Sequence, residues 1–508
     1  MKFASYLAAG AKLYGEKPAL ICGGTSLSFA ELEQASTRLA AALQANGLEP
    51  GQRIGIYMPN CAEFIVSFLG IVKAGGIAVP VNNKLAPPEV RFIVEDSRPK
   101  FIFVSSANVD ELTAACGEVN EAKTIVVGEP HPQALFNYSQ LLEKEYPPLR
   151  ELPVETDACM ISYTSGTTGR PKGAVITQSN YIVMNGLLNA LYWGIQHDDR
   201  ILLTTPLAHR TAFARLGNML VFGSTLVILP KFDVEAVAAS IASHGITILG
   251  MVPTVGRLLM PTISQASAKF ASLRRILATG EAFPVDLKKE LAHWLPKAEI
   301  FSFYSMTEIG AISLLRPEEQ VSHAASAGRI LPGLEVRLTN DAGATVPEGE
   351  VGEVWVRSGE PGRFLTMQGY FNRPEANAES FVNGWFKTGD MARFDSDGYI
   401  YIVDRKKDMV LSGGYNIYTK EVEMALESHP DVAQAAVIGV PDPVFGEAVA
   451  AFVVLKKLET METDLLIEWC TKQIASYKKP KYVRFVAALP LTASGKVQKR
   501  QLAETFVK

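Results

Sequence analysis

Hydrophobic and polar residues follow two alternating patterns over the long N-terminal part of the chain. Ser28–Glu31 has the composition of a capping box, and leucines then recur on one helical face as far as Asn46-Gly47, which predicts a helix. The apolar run Arg53–Tyr57 predicts the strand that follows. The same alternation recurs at residues 64–81, 88–104 and 234–249. Strands that alternate with helices predict largely parallel sheets that are covered on both faces.

The pattern changes from about Val336, where short strands separated by glycine-rich turns take over. Residues 404–408 form a charged connector, and the residues beyond it predict a small α+β unit whose first helix has Thr419 as its N-cap. The predicted fold class is therefore α/β. A large N-terminal domain of stacked, helix-covered, largely parallel sheets with a β-rich subdomain spans residues 1–406, and a small mobile α+β domain spans residues 407–508.

Composition and charge exclude several classes of protein. The 508 residues are 48% hydrophobic and 20% charged, and the net charge is 49 − 53 = −4. No basic stripe with aromatic residues is present, so we expect no nucleic-acid partner. The longest apolar stretch, residues 64–81, contains Lys73 and Pro80, and we expect no membrane span. Five scattered cysteines without a CxxC spacing, and no signal peptide, favour a cytoplasmic location.

The strongest chemical signal is the segment Tyr163–Gly173, with the sequence YTSGTTGRPKG. Its hydroxyls and backbone N–H groups can converge on phosphate oxygens, and Lys172 adds a mobile positive charge. The glycine spacing is not that of a Walker A loop. A flexible linker would explain so many hydroxyls beside a lysine poorly. The residues assigned to this phosphate loop are Thr164, Ser165, Gly166, Thr167, Thr168 and Lys172.

A second motif, Phe303–Glu308, carries groups that suit a nucleotide and a metal ion. Tyr304 offers a flat face on which an adenine can stack, and we place Phe303 in the same nucleotide site. Thr307 offers a hydroxyl to the α-phosphate, and Glu308 is a hard oxygen donor suited to Mg²⁺. A Thr-Glu pair on its own is more often the N-terminus of a helix.

Two further residues complete the candidate chemistry. Asp390, in a Thr-Gly-Asp sequence typical of a tight turn, can accept hydrogen bonds from both ribose hydroxyls. Lys496, in a glycine-containing loop near the C-terminus, can neutralise the charge that develops between a carboxylate and the α-phosphate. Near a C-terminus a lysine is usually solvated, and we expect Lys499 and Arg500 to be so.

In this order the motifs resemble the signatures of the adenylate-forming superfamily, which includes acyl-CoA synthetases, peptide-synthetase adenylation domains and firefly luciferase. The resemblance covers nearly the whole chain and is carried by residues 163–173, 304–308, 384–390, 404–416 and 494–496. It implies an AMP-forming acid–thiol ligase that uses ATP, Mg²⁺ and coenzyme A. A small carboxylic acid would be converted to an acyl-adenylate with release of pyrophosphate, and then to a coenzyme A thioester.

Alternatives of three kinds stay open at this point. An adenylating enzyme that loads the phosphopantetheine arm of an acyl carrier protein would share every adenylation motif. An inactive or light-emitting relative would not need Thr307, Glu308, Asp390 and Lys496 all intact. A non-enzymatic nucleotide-binding module would not need Lys496 on a separate domain.

The resemblance also implies roles that the residues alone do not. Thr164 would join Glu308 at the metal, and Lys496 would be the catalytic lysine. The remaining residues with implied roles are Gly280 and Glu281 in the adenine pocket, Arg405 beside Asp390, Lys407 as a hinge, and Ser412, Gly413 and Gly414 on the path of the thiol.

The acid pocket is expected at residues 206–215 and 251–253, with His209 as a gate beside the carboxylate and on one helical face with Phe213. Arg210 and Arg215 lie about 140° apart on a helix, so they cannot both face one pocket. We expect each to be solvated or to face another subunit, and we keep a dicarboxylic substrate as a hypothesis. Ser305, where relatives usually carry glycine, alters the pocket. Fatty, aryl and dicarboxylic acids, and a homodimer, all stay open.

Overall fold

The structure is a computed structural model. It describes residues 2–117, 122–150, 152, 157–164, 171–280, 283–412, 415–457, 461–492 and 496–506. The chain forms two compact units. Unit 1 consists of Met1–Glu335 and Arg357–Gly384, and unit 2 consists of Val336–Val356 and Trp385–Lys508.

The helices of the described residues are numbered in chain order. They are α1 (Phe3–Tyr14), α2 (Phe29–Ala45), α3 (Ala62–Lys73), α4 (Pro87–Ser97), α5 (Val109–Cys116), α6 (Tyr138–Glu143), α7 (Gln178–Asn180), α8 (Asn189–Trp193), α9 (Arg210–Phe222), α10 (Val234–His244), α11 (Pro253–Gln265), α12 (Val285–Trp294), α13 (Pro374–Ser380), α14 (Thr419–Glu427), α15 (Thr463–Gln473) and α16 (Lys499–Thr505). A π-helical segment, Tyr181–Leu188, joins α7 to α8.

The strands are numbered in the same way. They are β1 (Pro18–Cys22), β2 (Thr25–Ser28), β3 (Arg53–Tyr57), β4 (Ile77–Val81), β5 (Phe101–Ser105), β6 (Lys123–Val127), β7 (Phe136–Asn137), β8 (Ala158–Thr164), β9 (Lys172–Thr177), β10 (Arg200–Leu203), β11 (Thr225–Ile228), β12 (Ile248–Met251), β13 (Arg275–Thr279), β14 (Glu299–Met306), β15 (Gly310–Leu315), β16 (Arg329–Ile330), β17 (Glu335–Thr339), β18 (Gly352–Arg357), β19 (Gly369–Tyr370), β20 (Phe381–Val382), β21 (Trp385–Phe394), β22 (Ile400–Arg405), β23 (Val410–Ser412), β24 (Tyr415–Ile417), β25 (Val432–Asp442), β26 (Gly446–Leu455) and β27 (Tyr482–Phe485).

Unit 1 is built on two largely parallel sheets. Among the described residues one has the strand order β16-β15-β14-β13-β12-β10-β11-β1-β2, and the other has the order β19-β9-β8-β4-β3-β5-β6-β7. The central pairs are parallel, and in the described part of the chain antiparallel pairs occur only toward the ends, at β1–β2, β14–β15–β16 and β8–β9–β19. The predicted fold class, a mixed α/β chain with a large parallel-sheet part and a smaller C-terminal part, is confirmed.

Local sequence signals account for these elements. Ser28 caps α2 as predicted, because its hydroxyl accepts the Glu31 N–H while the Glu31 carboxylate accepts the Ser28 N–H. The apolar run at residues 64–81 becomes α3 and then β4, and the hydrophobic residues of α3 are buried. Two apolar clusters form, one between α10–α12 and the β10–β14 sheet and one between α4, α5 and the β3–β8 sheet. Burial of these faces stabilises the unit by the hydrophobic effect.

Unit 2 contains two smaller sheets. In one, β21 pairs antiparallel with both β18 and β22, and in the other the order is β24-β23-β26-β25 with β27 parallel to β26. Helices α14 and α15 cover one face of the second sheet, with Val422 and Leu466 buried there, and α16 covers the other face with Leu502. The predicted small α+β unit is therefore present. Lys407 is exposed in the turn that follows β22, and its role as a domain boundary and hinge stays a prediction.

The prediction that Thr419 is an N-cap was wrong. Thr419 is the first residue of α14, it is buried, and its hydroxyl donates to Asp404, fifteen residues earlier. The Asp404 carboxylate also accepts the backbone N–H groups of Thr419 and Lys420. A carboxylate from the end of β22 therefore caps the helix, and the sequence beside the helix gives no sign of it.

Among the described residues, none of the helices combines the length and the apolar character that a membrane crossing requires. All five cysteines are free thiols.

We predict that Asp404→Ala destabilises unit 2 by about 1–2 kcal/mol, because the first turn of α14 then loses its capping acceptor. The midpoint of urea unfolding, followed by far-UV circular dichroism, measures this loss. Asp397→Ala is the matched control, since Asp397 is exposed in the turn before β22. Equal midpoints for Asp404→Ala and the control would show that the cap contributes nothing.

Candidate functional site

The two described ends of the predicted phosphate loop lie side by side in unit 1. Thr164 ends β8, Lys172 begins β9, and the two residues face each other in the antiparallel ladder. The Thr164 hydroxyl donates to the backbone carbonyl of Lys172 at 3.4 Å. The residues between them, which include Ser165, Gly166, Thr167 and Thr168, lie outside the described part of the chain.

The strand that leads into this loop is anchored by a partly buried polar contact. The Tyr163 hydroxyl donates to Asp96 of α4 at 2.6 Å, and Asp96 also forms an ion pair with Arg373. Burial, together with the neighbouring carboxylate of Asp96, raises the pKa of Tyr163 well above its usual value, so the phenol stays a donor at neutral pH. The contact fixes the end of β8 just before the loop begins.

Lys172 and Glu308 are linked through a residue that the sequence analysis did not identify. Strand β19 pairs with β9 and places Tyr370 there. The Lys172 ammonium lies over the Tyr370 ring, 5.3 Å from its centre, and the Tyr370 hydroxyl donates to Glu308 Oε1 at 2.9 Å. The predicted phosphate lysine and the predicted metal carboxylate therefore contact the same aromatic side chain, the first at the ring and the second at the hydroxyl.

Thr307 and Glu308 lie in the turn between β14 and β15, not at a helix N-terminus. The buried Arg210 guanidinium donates to the carbonyls on either side of Glu308, those of Thr307 and Ile309, and the Glu308 carbonyl accepts the Met367 N–H at 2.7 Å. These bonds fix the backbone of the turn, so the Glu308 carboxylate is held in place. Burial lowers the pKa of Arg210 to about 10, and the charge of Glu308 opposes that shift.

The prediction that Arg210 and Arg215 are solvated or face another subunit was wrong. Both are buried, with exposed fractions of 6% and 5%. Arg210 supports the Thr307 turn, and Arg215 stacks on Trp193, its guanidinium carbon 4.3 Å from the ring centre. The two side chains point in different directions from α9, as predicted. The neighbours that decide the direction of each side chain lie far away in sequence.

His209 precedes α9 as its N-cap residue in extended conformation, so it does not share a helical face with Ala212 and Phe213, which are buried within the helix. Helix α9 begins at Arg210, one residue after His209, so the predicted helical face does not include His209. The His209 Nε2 atom lies 3.3 Å from the Asn82 amide. His209 thus lies at the N-terminus of α9, and its role as a gate beside the substrate carboxylate stays a prediction.

A cleft lies at the carboxyl ends of the parallel strands β10, β12, β13 and β14. Its lining residues are Leu203, Thr205, Ala212, Arg215, Gly250, Met251, Leu277, Thr279 and Phe303. Ala212, Arg215 and Met251 belong to the segments in which the sequence predicted the acid pocket. In open α/β sheets ligands bind at this edge.

The residues predicted to hold adenine adjoin the cleft. Gly280 directly follows β13 with a φ of +93°, a conformation that favours glycine, while Glu281 lies outside the described residues. Tyr304 is half-buried in β14 next to the cleft residue Phe303. Ser305 Oγ lies 2.8 Å from the hydroxyl of Thr279, which lines the cleft, so this departure from the family pattern does contact the pocket wall.

In unit 2, Asp390 and Arg405 face each other on β21 and β22 and form an ion pair. Asp390 is buried, and its predicted position in a tight turn was wrong: it belongs to β21. The ladder with β18 shifts register between Glu353 and Trp355, opposite residues 388–390, and Gly389 has a φ of +73°. The Thr-Gly-Asp sequence, which is typical of a turn, therefore forms a bulge within β21.

Lys496 lies at the base of a loop that a short antiparallel bridge, Leu491 to Val497, closes. Its backbone N–H donates to the Thr492 hydroxyl, and its carbonyl accepts the Thr492 N–H. The Lys496 side chain is exposed. Ser412 ends β23, and Gly413 and Gly414, the other residues predicted on the path of the thiol, lie outside the described residues.

The expectation that Lys499 is solvated was wrong. Its ammonium forms an ion pair with Glu423 at 2.7 Å and donates to the Thr419 hydroxyl at 2.6 Å. Arg500 is exposed as expected and pairs with Glu504 one helical turn later. Lys496 and Lys499 are three residues apart, yet one is exposed in a loop while the other joins the buried network at the start of α14.

A magnesium ion fits the donor chemistry of Glu308. Within the ranges that the structure describes, no group of three or more His, Cys, Asp or Glu side chains could hold a metal ion. Mg²⁺, however, is commonly bound by one or two carboxylates together with phosphate oxygens of the substrate. A single buried carboxylate in a turn fixed by Arg210 meets that requirement.

Comparisons with known proteins agree with this geometry. The family model "AMP-binding enzyme" matches residues 7–371, and its C-terminal domain model matches residues 421–496. Feruloyl-CoA synthase from Amycolatopsis sp. is 35% identical over 95% of each chain. Long-chain-fatty-acid–CoA ligase from Mycobacterium tuberculosis is 34% identical over 94% of this chain and 93% of the relative.

Among solved structures, o-succinylbenzoate CoA synthetase from Bacillus subtilis in complex with its acyl-adenylate intermediate is 32% identical, covers 99% of this chain and 98% of its own, and has a TM-score of 0.85. The same enzyme has been solved with ATP and a magnesium ion. The predicted membership of the adenylate-forming superfamily is confirmed by the family models, which together cover most of the sequence. The chain belongs to the family of AMP-binding enzymes, as its N-terminal and C-terminal parts both show.

Proposed function

We propose that this protein is an AMP-forming acid–thiol ligase that activates a carboxylic acid with ATP and transfers the acyl group to coenzyme A. In the first step a carboxylate oxygen attacks the α-phosphorus, the bond to the bridging oxygen breaks, and pyrophosphate leaves with the electron pair. In the second step the coenzyme A thiol loses its proton to solvent, its sulfur attacks the acyl carbon, the bond between that carbon and the phosphate oxygen breaks, and AMP leaves with the electron pair. The observation that carries the proposal is the Lys172–Tyr370–Glu308 contact in the AMP-binding unit.

That contact supports the first step for an electrostatic reason. Substrate carboxylate and ATP are both anions, so their approach requires positive charge in fixed positions. We assign Lys172 to the phosphates, with the hydroxyls and N–H groups of the loop from Thr164 to Thr168, and Thr307 to the α-phosphate. Glu308, with Thr164, would hold Mg²⁺, which supplies further charge to the phosphate oxygens when it is bound. Tyr370 positions both Lys172 and Glu308.

Other residues would recognise the rest of the nucleotide. We assign adenine to the segment with Gly280, Glu281, Phe303 and Tyr304, where the positive φ of Gly280 lets the backbone turn sharply after β13. We assign the ribose hydroxyls to Asp390. Arg405 forms an ion pair with the buried Asp390 carboxylate and so fixes its position.

Lys496 is assigned to the charge that develops between the substrate carboxylate and the α-phosphate. Its exposed ammonium on a short closed loop is a compact point charge that can be brought to a dianionic transition state. The second step needs no such charge at the α-phosphate, so we assign it to other residues, Ser412, Gly413 and Gly414, with Lys407 as the hinge. The two half-reactions therefore depend on different parts of the chain.

Coenzyme A is favoured over a carrier protein as the acceptor because the relatives that cover the whole chain are named as coenzyme A ligases. We place the enzyme in the cytoplasm, where ATP and coenzyme A are available and where its five free thiols would stay reduced. The homodimer stays open.

The function is tested by incubating the enzyme with ATP, Mg²⁺ and a panel of fatty, aryl and dicarboxylic acids. Pyrophosphate release should depend on the acid, and mass spectrometry should then detect an acyl-CoA when coenzyme A is added. If the acyl group were found only on a phosphopantetheinylated carrier protein, the acceptor would be that carrier protein and not coenzyme A. No pyrophosphate with any acid would contradict acid activation.

Lys496→Ala should lower the rate of adenylate formation by about a hundred-fold or more, because one fixed charge at the transition state contributes several kcal/mol. Thioester formation from a supplied acyl-adenylate should stay close to the wild-type rate. Lys472→Ala, another exposed lysine of unit 2, is the control and should change neither rate. If Lys496→Ala lowered the rates of adenylate formation and thioester formation equally, the assignment of Lys496 to the first half-reaction would be contradicted.

Glu308→Gln should raise the Mg²⁺ concentration needed for half-maximal adenylation, because the amide keeps the acceptor for Tyr370 but lacks the negative charge. A Mg²⁺ titration of pyrophosphate release measures the shift. Tyr370→Phe, which removes only the hydroxyl that positions Glu308, should shift the same curve by less. An unchanged Mg²⁺ dependence in Glu308→Gln would remove this residue from the metal site.

A further inference from the structure

Arg215 is a buried cation without a counter-charge among the described residues. It lies on α9 with its guanidinium over Trp193, and its Nη1 atom, out of reach of solvent, has no hydrogen-bond partner there. A guanidinium carries five N–H donors, and the face of an indole attracts the charge without accepting those bonds. Burying a charge whose donors stay unpaired is costly.

No carboxylate of the described residues neutralises Arg215. Burial lowers its pKa to about 10, and the other ionisable group that acts on it is Tyr181. Burial also raises the pKa of Tyr181 well above its usual value, so this phenol is neutral. At neutral pH the Arg215 guanidinium is therefore charged, while the Tyr181 phenol is neutral.

Arg210 shows what a structural arginine looks like in the same helix. It is equally buried and its Nε has no hydrogen-bond partner among the described residues, but its Nη1 and Nη2 donate to two backbone carbonyls of the Thr307 turn. Arg215 has no such acceptor in the described part of the chain. The two arginines therefore have different roles. Backbone carbonyls accept hydrogen bonds from Arg210, whereas no backbone carbonyl of the described residues accepts one from Arg215.

The surroundings of Arg215 identify where an acceptor would come from. It lines the cleft at the carboxyl ends of β10, β12 and β13, whose other walls are mainly apolar. Thr279 belongs to the same cleft and donates to the carbonyl of Phe303, in the strand that leads to Thr307 and Glu308. One cation thus lies in an apolar cleft next to the predicted nucleotide site.

We propose that Arg215 binds a second carboxylate of the acid substrate, at the end remote from the carboxylate that is activated. The enzyme would then select dicarboxylic acids. Arginine matches a carboxylate through two parallel N–H···O bonds, and in an apolar cleft such a pair discriminates strongly against an acid that lacks the second charge. This inference rests on the proposed acid-activating function and names the substrate class of the same site.

The test compares matched pairs of acids. Pyrophosphate release is measured with succinate, glutarate, adipate and phthalate, and with their monoacid counterparts butyrate, valerate, hexanoate and benzoate. The wild type should have a higher kcat/KM for at least one diacid than for its monoacid partner. Arg215→Met, which keeps the length and apolar stem, should lower that diacid value by about ten- to a hundred-fold relative to the monoacid value.

Two further variants separate recognition from structure. Arg215→Lys keeps the charge, although not the paired donors, and should keep part of the diacid preference. Arg337→Met is the matched control, because Arg337 also stacks on tryptophans, Trp355 and Trp385, and its Nε has no hydrogen-bond partner within the described ranges, but it lies in unit 2. It should leave the preference unchanged.

A measurement on the wild type alone guards against a variant that fails to fold. In the presence of ATP, the preferred diacid should raise the melting temperature more than its monoacid partner does. Monoacids that are adenylated as well as or better than every diacid partner would overturn this inference and leave the proposed function standing. So would an equal loss of both substrates in a folded Arg215→Met. Absence of pyrophosphate release with every acid would overturn the proposed function, and this inference with it.

Discussion

The candidate active site depends on the fixed position of one buried carboxylate, that of Glu308. Its side chain accepts the Tyr370 hydroxyl, its own carbonyl accepts the Met367 N–H, and Arg210 holds the carbonyls on either side. Arg210 comes from α9, and Met367 and Tyr370 come from the segment that leads into and forms β19, so the turn after β14 cannot move without breaking several of these bonds. Such a fixed negative charge can hold a hard cation against phosphate without reorganisation when the substrate arrives.

The same part of unit 1 buries two arginines on one helix and treats them differently. Arg210 donates to the backbone carbonyls of Thr307 and Ile309 and supports the turn that carries Glu308. Arg215 lies in an apolar cleft, stacked on Trp193, and retains unpaired donors among the described residues. An unpaired buried charge costs free energy, and this cost is one ground for the proposal that a substrate carboxylate completes the site. The residue that supports the Glu308 turn and the residue proposed to bind a second substrate carboxylate thus lie on the same helix, α9.

Unit 2 uses a buried polar network for a structural purpose. Asp404, at the end of β22, caps α14 and receives the Thr419 hydroxyl, while Lys499 of α16 reaches both Thr419 and Glu423. Burial raises the pKa of Asp404, and the nearby Lys499 ammonium opposes the shift. The network ties the last strand before the connector to two helices, and it leaves Lys496, three residues before Lys499, exposed on its own loop.

The sequence by itself determined the fold class, the capping box of α2, the succession of helices and strands, and the family, because periodicity and ordered motifs are local properties of the chain. It also indicated that Arg210 and Arg215 point in different directions. Only the tertiary structure decided that both are buried, that Asp390 lies in a strand bulge and that Asp404 caps α14. Tyr370, which joins Lys172 to Glu308, likewise emerged only when β19 paired with β9. These facts depend on contacts between residues far apart in sequence, which no local pattern encodes.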